Sequence, residues 1–437
     1  MIPTNEQSSK HAIAVAATAR SHYEQALDAL LTHRGDAAAM IERALADDPA
    51  DASAHCLRAA TIVCGDAYAA RGKLAASVAA IEAACPDPSD RARRHAAAAQ
   101  AWLAGDAPLA LERYGTIVLD QPRDIVALAA AHALDFRLGR RAMLRHRVEQ
   151  ALAAWDSTMP HYASVLAMHA FGLEETGQYG RAEATARAAL AHDPRLPGAI
   201  HVLAHVLEMQ GRFGEGLALL AATETAWIEG TGFSVHLAWH RALFHLDADD
   251  ADAALAVYDA RIAPADDLPA LADASALLWR LTLRDVPTGD RWQRLADRWA
   301  ARTLAGARPF YPMHAVMAFA ATGRAGAAAR VRAALPEAAA PEDTLARAFC
   351  DGLLAFARSD YAASIERLAQ VRDIADRCGG SAAQCDVVHL TLTEAALRAH
   401  HTRLARALVA ERKARTPDSW LNQWFAQRVS TLVAAAA

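Results

Sequence analysis

Gly177-Gln178-Tyr179-x2-Ala182-x3-Ala186-x2-Ala189-Leu190-x3-Pro194 reads as a tight turn, an alanine-lined helix and a proline stop. Comparable turns recur at Gly105-Asp106, Leu138-Gly139, Gly211-Arg212-Phe213, Asp249-Asp250, Gly323-Arg324 and Ser359-Asp360-Tyr361. The recurrence is a helix-turn-helix period of roughly 33 to 41 residues. One such unit cannot bury its apolar face alone, so copies must stack on a continuous core.

Composition agrees with an all-α array. Alanine dominates the chain, and Ala and Leu are among the best helix formers, while Val and Ile never cluster into alternating strand-like runs. A length of 437 residues would ordinarily divide into separate globular domains. The repeat predicts instead one helical domain over 11–437, with the best-ordered repeats at 160–262. The pattern resembles a tetratricopeptide-like α-solenoid, which implies a right-handed superhelix of about ten to twelve helix pairs without β-sheet.

The formal net charge is −5, from 45 basic and 50 acidic residues spread along the chain. No basic stripe marks a nucleic-acid footprint, so no nucleic-acid partner is expected. Nor does any uncharged apolar stretch approach the ~18 residues of a membrane span; the longest candidate, Pro309 to Gly323, contains His314. Met1 to Lys10 is polar without a basic n-region, and the apolar Ala12 to Ala17 run continues as an amphipathic helix, which argues against a signal peptide. Six cysteines without CxxC or framework spacing point to reduced thiols and a cytoplasmic protein.

Further breaks fall at Trp155 to Pro160, where Ser157 or Thr158 suits the cap of the next helix, and in the acidic Ala263 to Pro269 segment. The last residues, Ala434 to Ala437, are expected to fray.

Three successive helix pairs carry histidines and acids in the helix that precedes the turn. Their sequences are Met168-His169 with Glu174-Glu175, then His201-x3-His205-x2-Glu208, then His236-x3-His240-x4-His245. Spacings of four and seven place His201, His205 and Glu208 on one helix face, and His236 and His240 lie one turn apart. Adjacent first helices at 8–10 Å, as a rough packing distance, bring such side chains into one groove. Imidazoles with a carboxylate suit Zn²⁺, Fe²⁺ or Mn²⁺, with His201, His205, Glu208 and His240 as candidate ligands. Val202 follows His201, so the zincin glutamate is missing. The leading reading is a concave groove that binds a small molecule or peptide through His169, Glu174, His236, Trp239, His245 and His314; the alternatives are a metal-dependent or His acid–base enzyme with its active site in the same groove, or histidines that simply satisfy their own hydrogen bonds. No GxSxG, P-loop or GxGxxG motif supports hydrolase or nucleotide chemistry. The sequence leaves oligomeric state and reaction open.

Longer motifs add a family resemblance. Leu134-Asp135-Phe136-Arg137-Leu138-Gly139, Met168-His169-Ala170-Phe171-Gly172-Leu173-Glu174-Glu175, Ala204-His205-Val206-Leu207-Glu208 and Gly289-Asp290-Arg291-Trp292 resemble the tetratricopeptide repeat protein 38 family. The resemblance implies a helical-repeat fold and a family pattern that includes His169, His205, Glu208, His236, His240 and His245. It implies no reaction. Where the family pattern has His-Asn-Trp-Trp-His, this chain has His236-Leu237-Ala238-Trp239-His240, and Cys385 replaces a basic residue before Asp386.

Overall fold

The computed structural model describes residues 20–437 apart from 66, 305–306, 336–340, 418 and 437. The readings of Met1–Lys10 and Ala12–Ala17 lie outside the described residues. The fold is all-α and tetratricopeptide-like, a succession of helices joined by short turns. Among the described residues no strand forms; a lone antiparallel bridge joins Arg34 to Thr231. The chain divides into two compact units, Met1–Ala199 with Gly230–Gly232, and Ile200–Glu229 with Phe233–Ala437.

The recurrent turn has one geometry. Its pivot residue takes positive φ, as in Gly105 (85°), Gly139 (63°), Gly177 (76°), Gly211 (72°) and Gly323 (67°), and at the equivalent positions of Asp249 (59°) and Ser359 (62°). The next amide reaches back over the helix end: Asp106 to the Ala101 carbonyl at 3.0 Å, Gln178 to Leu173 at 2.9 Å, Arg212 to Leu207 at 2.8 Å and Asp360 to Ala355 at 3.0 Å. This is the six-to-one closure of a left-handed helix stop. Where the following residue is aspartate it also caps the next helix, Asp106 accepting from the Leu109 amide and Asp250 from that of Ala253, each at 2.9 Å.

In the first unit the helices Arg91–Leu103 and Ile125–Arg137 bury runs of alanine, among them Ala96, Ala98, Ala99, Ala127, Ala130 and Ala131. Small side chains let neighbouring helices approach closely, and polar groups one repeat apart then come within reach. Asp124 accepts from the Arg91 guanidinium at 2.6 and 2.9 Å, from His95 Nε2 at 2.9 Å and from the Ala127 amide at 3.1 Å. Burial alone would raise the Asp124 pKa, but the His95 and Arg91 hydrogen bonds and charges outweigh it and hold the carboxyl below its ordinary value. Arg137 donates to the Val63 carbonyl two repeats back, and Arg34 pairs with Asp193.

The second unit departs from neighbour-only stacking. Its helix Leu268–Leu283 is buried nearly all round, Ala270 through Leu281 without interruption, as a helix that is apolar on nearly every face must be. It packs against the distant helix Ala382–Arg398. Trp279 Nε1 donates to Thr391 Oγ1 at 2.9 Å, and Arg280 to the Ala383 carbonyl at 2.7 Å.

Two local expectations are corrected. The helix Tyr162–Glu175 starts after His161 (φ 63°) with no side-chain cap, because Asp156 Oδ1 draws both the amide and hydroxyl of Thr158 into its own turn. The helix Trp420–Ala436 includes Ala434, Ala435 and Ala436, strong helix formers, where the sequence predicts fraying; Ala437 lies outside the described residues.

Replacing Asp124 by asparagine removes the charge and one of the two oxygens that Arg91 and His95 share, and turns an NH2 donor toward them. Asp124→Asn is expected to lower stability by about 3–5 kcal/mol in urea unfolding. Asp120→Asn breaks only the ion pair of Arg94 with an exposed carboxylate, and should cost under about 1 kcal/mol. Equal effects of the two would show that the Asp124 node is not structural.

Candidate metal centre

Helix Pro197–Met209 supplies His201 and His205, and helix Ser234–Asp247 supplies His236 and His240. Each pair is spaced by four, so its rings stack along one face, and the two faces meet within the second unit. The ring centroids of His201 lie 4.3 Å from His205, 5.0 Å from His236 and 5.3 Å from His240. His240 stands 4.6 Å from His205 and 4.8 Å from His236. One ring nitrogen from each of the four lies within 4.8 Å of the others. His205 and His240 are fully buried, His201 nearly so, and the His236 side chain is about 20% exposed.

Two carboxylates orient this group. Glu208 Oε2 lies 2.7 Å from His240 Nδ1, and Asp273 Oδ2, from the helix Leu268–Leu283, lies 2.8 Å from His236 Nδ1. An ionised carboxylate only accepts, so both imidazoles donate from Nδ1 and keep the Nε2 lone pair for another partner. His240 Nε2 is buried and finds no hydrogen-bond partner among the described residues. Burial drives the His240 pKa well below its ordinary value, reinforced by His205, His236, His201 and Arg280. The ring is therefore neutral, the form in which histidine binds a metal.

Aromatic and cationic groups back the cluster. Trp239 stacks on His236 at 5.3 Å, its indole is fully buried, and the Arg280 guanidinium lies over the Trp239 ring, 5.4 Å from its centroid. Phe233 packs on His201 at 4.8 Å.

The structure thus brings together His201, His205, His236 and His240, with Glu208 behind His240 and Trp239 as a wall. The remaining candidates are not part of this four-histidine group. His169 and Glu174 belong to the first unit, where His169 Nε2 is 3.4 Å from Glu149 and Glu174 is buried at a helix end. His245 sits at the end of its helix, 3.9 Å from Asp250. His314 donates from Nδ1 to its own helix, to the Phe310 carbonyl at 2.7 Å, and packs on the Phe310 ring at 4.4 Å. Sequence reasoning missed Asp273 and Arg280. The signal was present: they are the only charges inside the apolar stretch Leu268–Leu283, and a lone charge in a buried helix needs a partner.

No family model matches the chain. Among solved structures, it is similar to a human IFIT1 dimer with PPP-AAAA at 13% identity, covering 91% of this chain and 86% of that one, with a TM-score of 0.42. A monomeric IFIT1 mutant with m7Gppp-AAAA matches at 14% identity over 95% of each chain, TM-score 0.42. A structure of Naa15/Naa10 bound to HypK-THB matches at 14% identity over 91% of this chain and 57% of that one, TM-score 0.29. At these values the ligands of those proteins have no bearing on this chain.

Burial lowers the His314 pKa to about 4, against the pull of its bond to Phe310. The folded ring is neutral, whereas the unfolded one protonates near 6.5. The corresponding stability is present above about pH 6.5 and is lost as pH falls toward about 4. His314→Leu should therefore improve relative to wild type across that window in urea unfolding at stepped pH. A difference that stays constant from pH 7 to 4 would remove His314 as the source.

Proposed function

We propose that this chain is a helical-repeat protein of the tetratricopeptide repeat protein 38 type that holds one divalent transition-metal ion on His201, His205, His236 and His240. The carrying observation is His240, whose Nδ1 is fixed by Glu208 while its Nε2 is buried among three other imidazoles. Carboxylate–histidine pairs of this kind fix the tautomer and raise the basicity of metal-binding imidazoles. Glu208 then acts through His240 as its positioning residue, and Asp273 does the same for His236.

Four imidazoles bound tetrahedrally at about 2.1 Å put ring centroids about 5 Å apart. The observed separations of 4.3 to 5.3 Å bracket that value. An all-imidazole donor set favours Zn²⁺ or Fe²⁺ over Mn²⁺, which prefers carboxylates. Without a cation, the buried His240 Nε2 has no hydrogen-bond partner among the described residues, and an unpaired buried polar atom is costly. The partial exposure of His236 gives a small molecule an approach from that side, and the buried surroundings suit such a ligand better than an extended peptide. A cytoplasmic setting fits thiols such as Cys350, which burial pushes up to about 12 and makes inert.

Inductively coupled plasma mass spectrometry on untagged full-length protein, grown with zinc or with iron under anaerobic conditions, tests this. Wild type should retain about one equivalent of metal per chain. His205→Ala and His236→Ala should lose most of it, and Glu208→Gln should weaken retention about 10–100-fold. His169→Ala, in the first unit, should match wild type. Wild-type metal far below one equivalent after both supplementations would sink the reading.

A further inference from the structure

Beside the imidazoles, the second unit contains a partly open cavity of about 90 Å³. Its polar lining comes from Arg280, Arg284, Arg412 and Arg415 against Glu208, Asp247 and Asp386. Four guanidinium groups face three carboxylates, so the lining carries one more positive than negative charge. Leu243, Leu246, Leu283, Leu390 and Phe425 complete the wall. The space holds several waters, or one compact oxyanion in their place.

The arginines are not equivalent. Arg412 is committed, with both Asp386 oxygens at 2.7 and 3.0 Å and Asn422 at 2.9 Å. Arg284 donates to the Leu246 carbonyl at 2.6 Å and lies 3.8 Å from Asp247. Arg415 sits near Glu411 at 3.9 Å. Arg280 is 6% exposed, donates to the Ala276 and Ala383 carbonyls at 3.1 and 2.7 Å, and pairs with no carboxylate among the described residues. Its hydrogen bonds go only to neutral carbonyls; the charges of Asp386, Glu208 and Asp247 act on it from beyond ion-pair distance and burial still lowers its pKa, so the buried charge is only partly offset. Its planar donor fork matches a carboxylate or a phosphate.

We propose that this cavity is a binding site for a compact oxyanion, the carboxylate or phosphoryl group of a small ligand, with Arg280 as its anchor and Arg284 one turn on at the end of the same helix. The excess charge of the lining sets the sign of the ligand, and the volume sets its size. Glu208 borders the cavity and also holds His240, so an anion bound here lies next to the imidazole cluster. The assignment stands whether or not those imidazoles carry a metal.

Isothermal titration of the full chain at fixed ionic strength with sodium phosphate, and separately with sodium acetate, tests the site. Saturable one-to-one binding of either is expected, phosphate alone assigning a phosphoryl ligand and acetate alone a carboxylate. Arg280→Gln should weaken it at least tenfold, Arg280→Lys less, and Arg187→Gln on the surface of the first unit not at all. Should Arg280→Gln fail to fold by circular dichroism, Arg284→Gln carries the same expectation. Absence of saturable binding of both anions overturns the proposal, as does binding that survives unchanged in the Arg280 and Arg284 variants.

Discussion

Where helices Arg141–Leu152 and Tyr162–Glu175 meet, a Cβ at Gly172 would lie 2.6 Å from the backbone of Leu144 and Arg145, so the two backbones touch with no side chain between them. The same closeness recurs in milder form wherever alanine faces alanine. It has a chemical consequence. Short contacts between successive repeats bring polar groups about one period apart into bonding range: Arg91 and Asp124 are 33 residues apart, Glu208 and His240 32, Arg291 and Asp259 32, and Arg428 and Glu394 34. Larger interface residues would hold these groups out of reach. The packing of small side chains is therefore the condition under which both the Asp124 node and the imidazole cluster form.

The turns, the period and the all-helical class were legible because each turn repeats the same local chemistry, a residue tolerant of positive φ followed by a cap. The histidine pairs were legible for a similar reason, since a spacing of four fixes a common face. What local pattern cannot carry is which group on a neighbouring helix answers each polar atom. Glu208 reads from spacing as a partner of His201 and His205, yet it turns to His240 on the next helix. His314 shares the cluster's helix position in its repeat but satisfies its Nδ1 on its own backbone. The pairing of Leu268–Leu283 with Ala382–Arg398 was invisible too, because a helix buried on nearly every face announces burial without naming a partner.

Charge in the second unit is organised around that buried helix. Asp273 near one end holds His236, and Arg280 two turns on reaches the Ala383 carbonyl and lies beside Trp239. A single helix thus supplies an acid to the imidazoles and a base to the neighbouring cavity. Glu208 joins the two from the other side. Buried polar groups arranged this way rigidify their surroundings when every member is satisfied and destabilise them when one is removed.

The bond from Trp279 to Thr391 spans 112 residues. A linear repeat array can fold as it leaves the ribosome, each unit settling on the one before it. Here the apolar helix that carries Asp273 and Arg280 must wait for its partner. At a synthesis rate of about 5–20 residues per second the delay is roughly 6 to 22 s. During that interval a largely apolar segment lacks its cover and is open to chaperones or to aggregation. A nascent chain stopped before residue 382 would carry the histidines without the helix whose Gln384 reaches Asp273, the carboxylate behind His236.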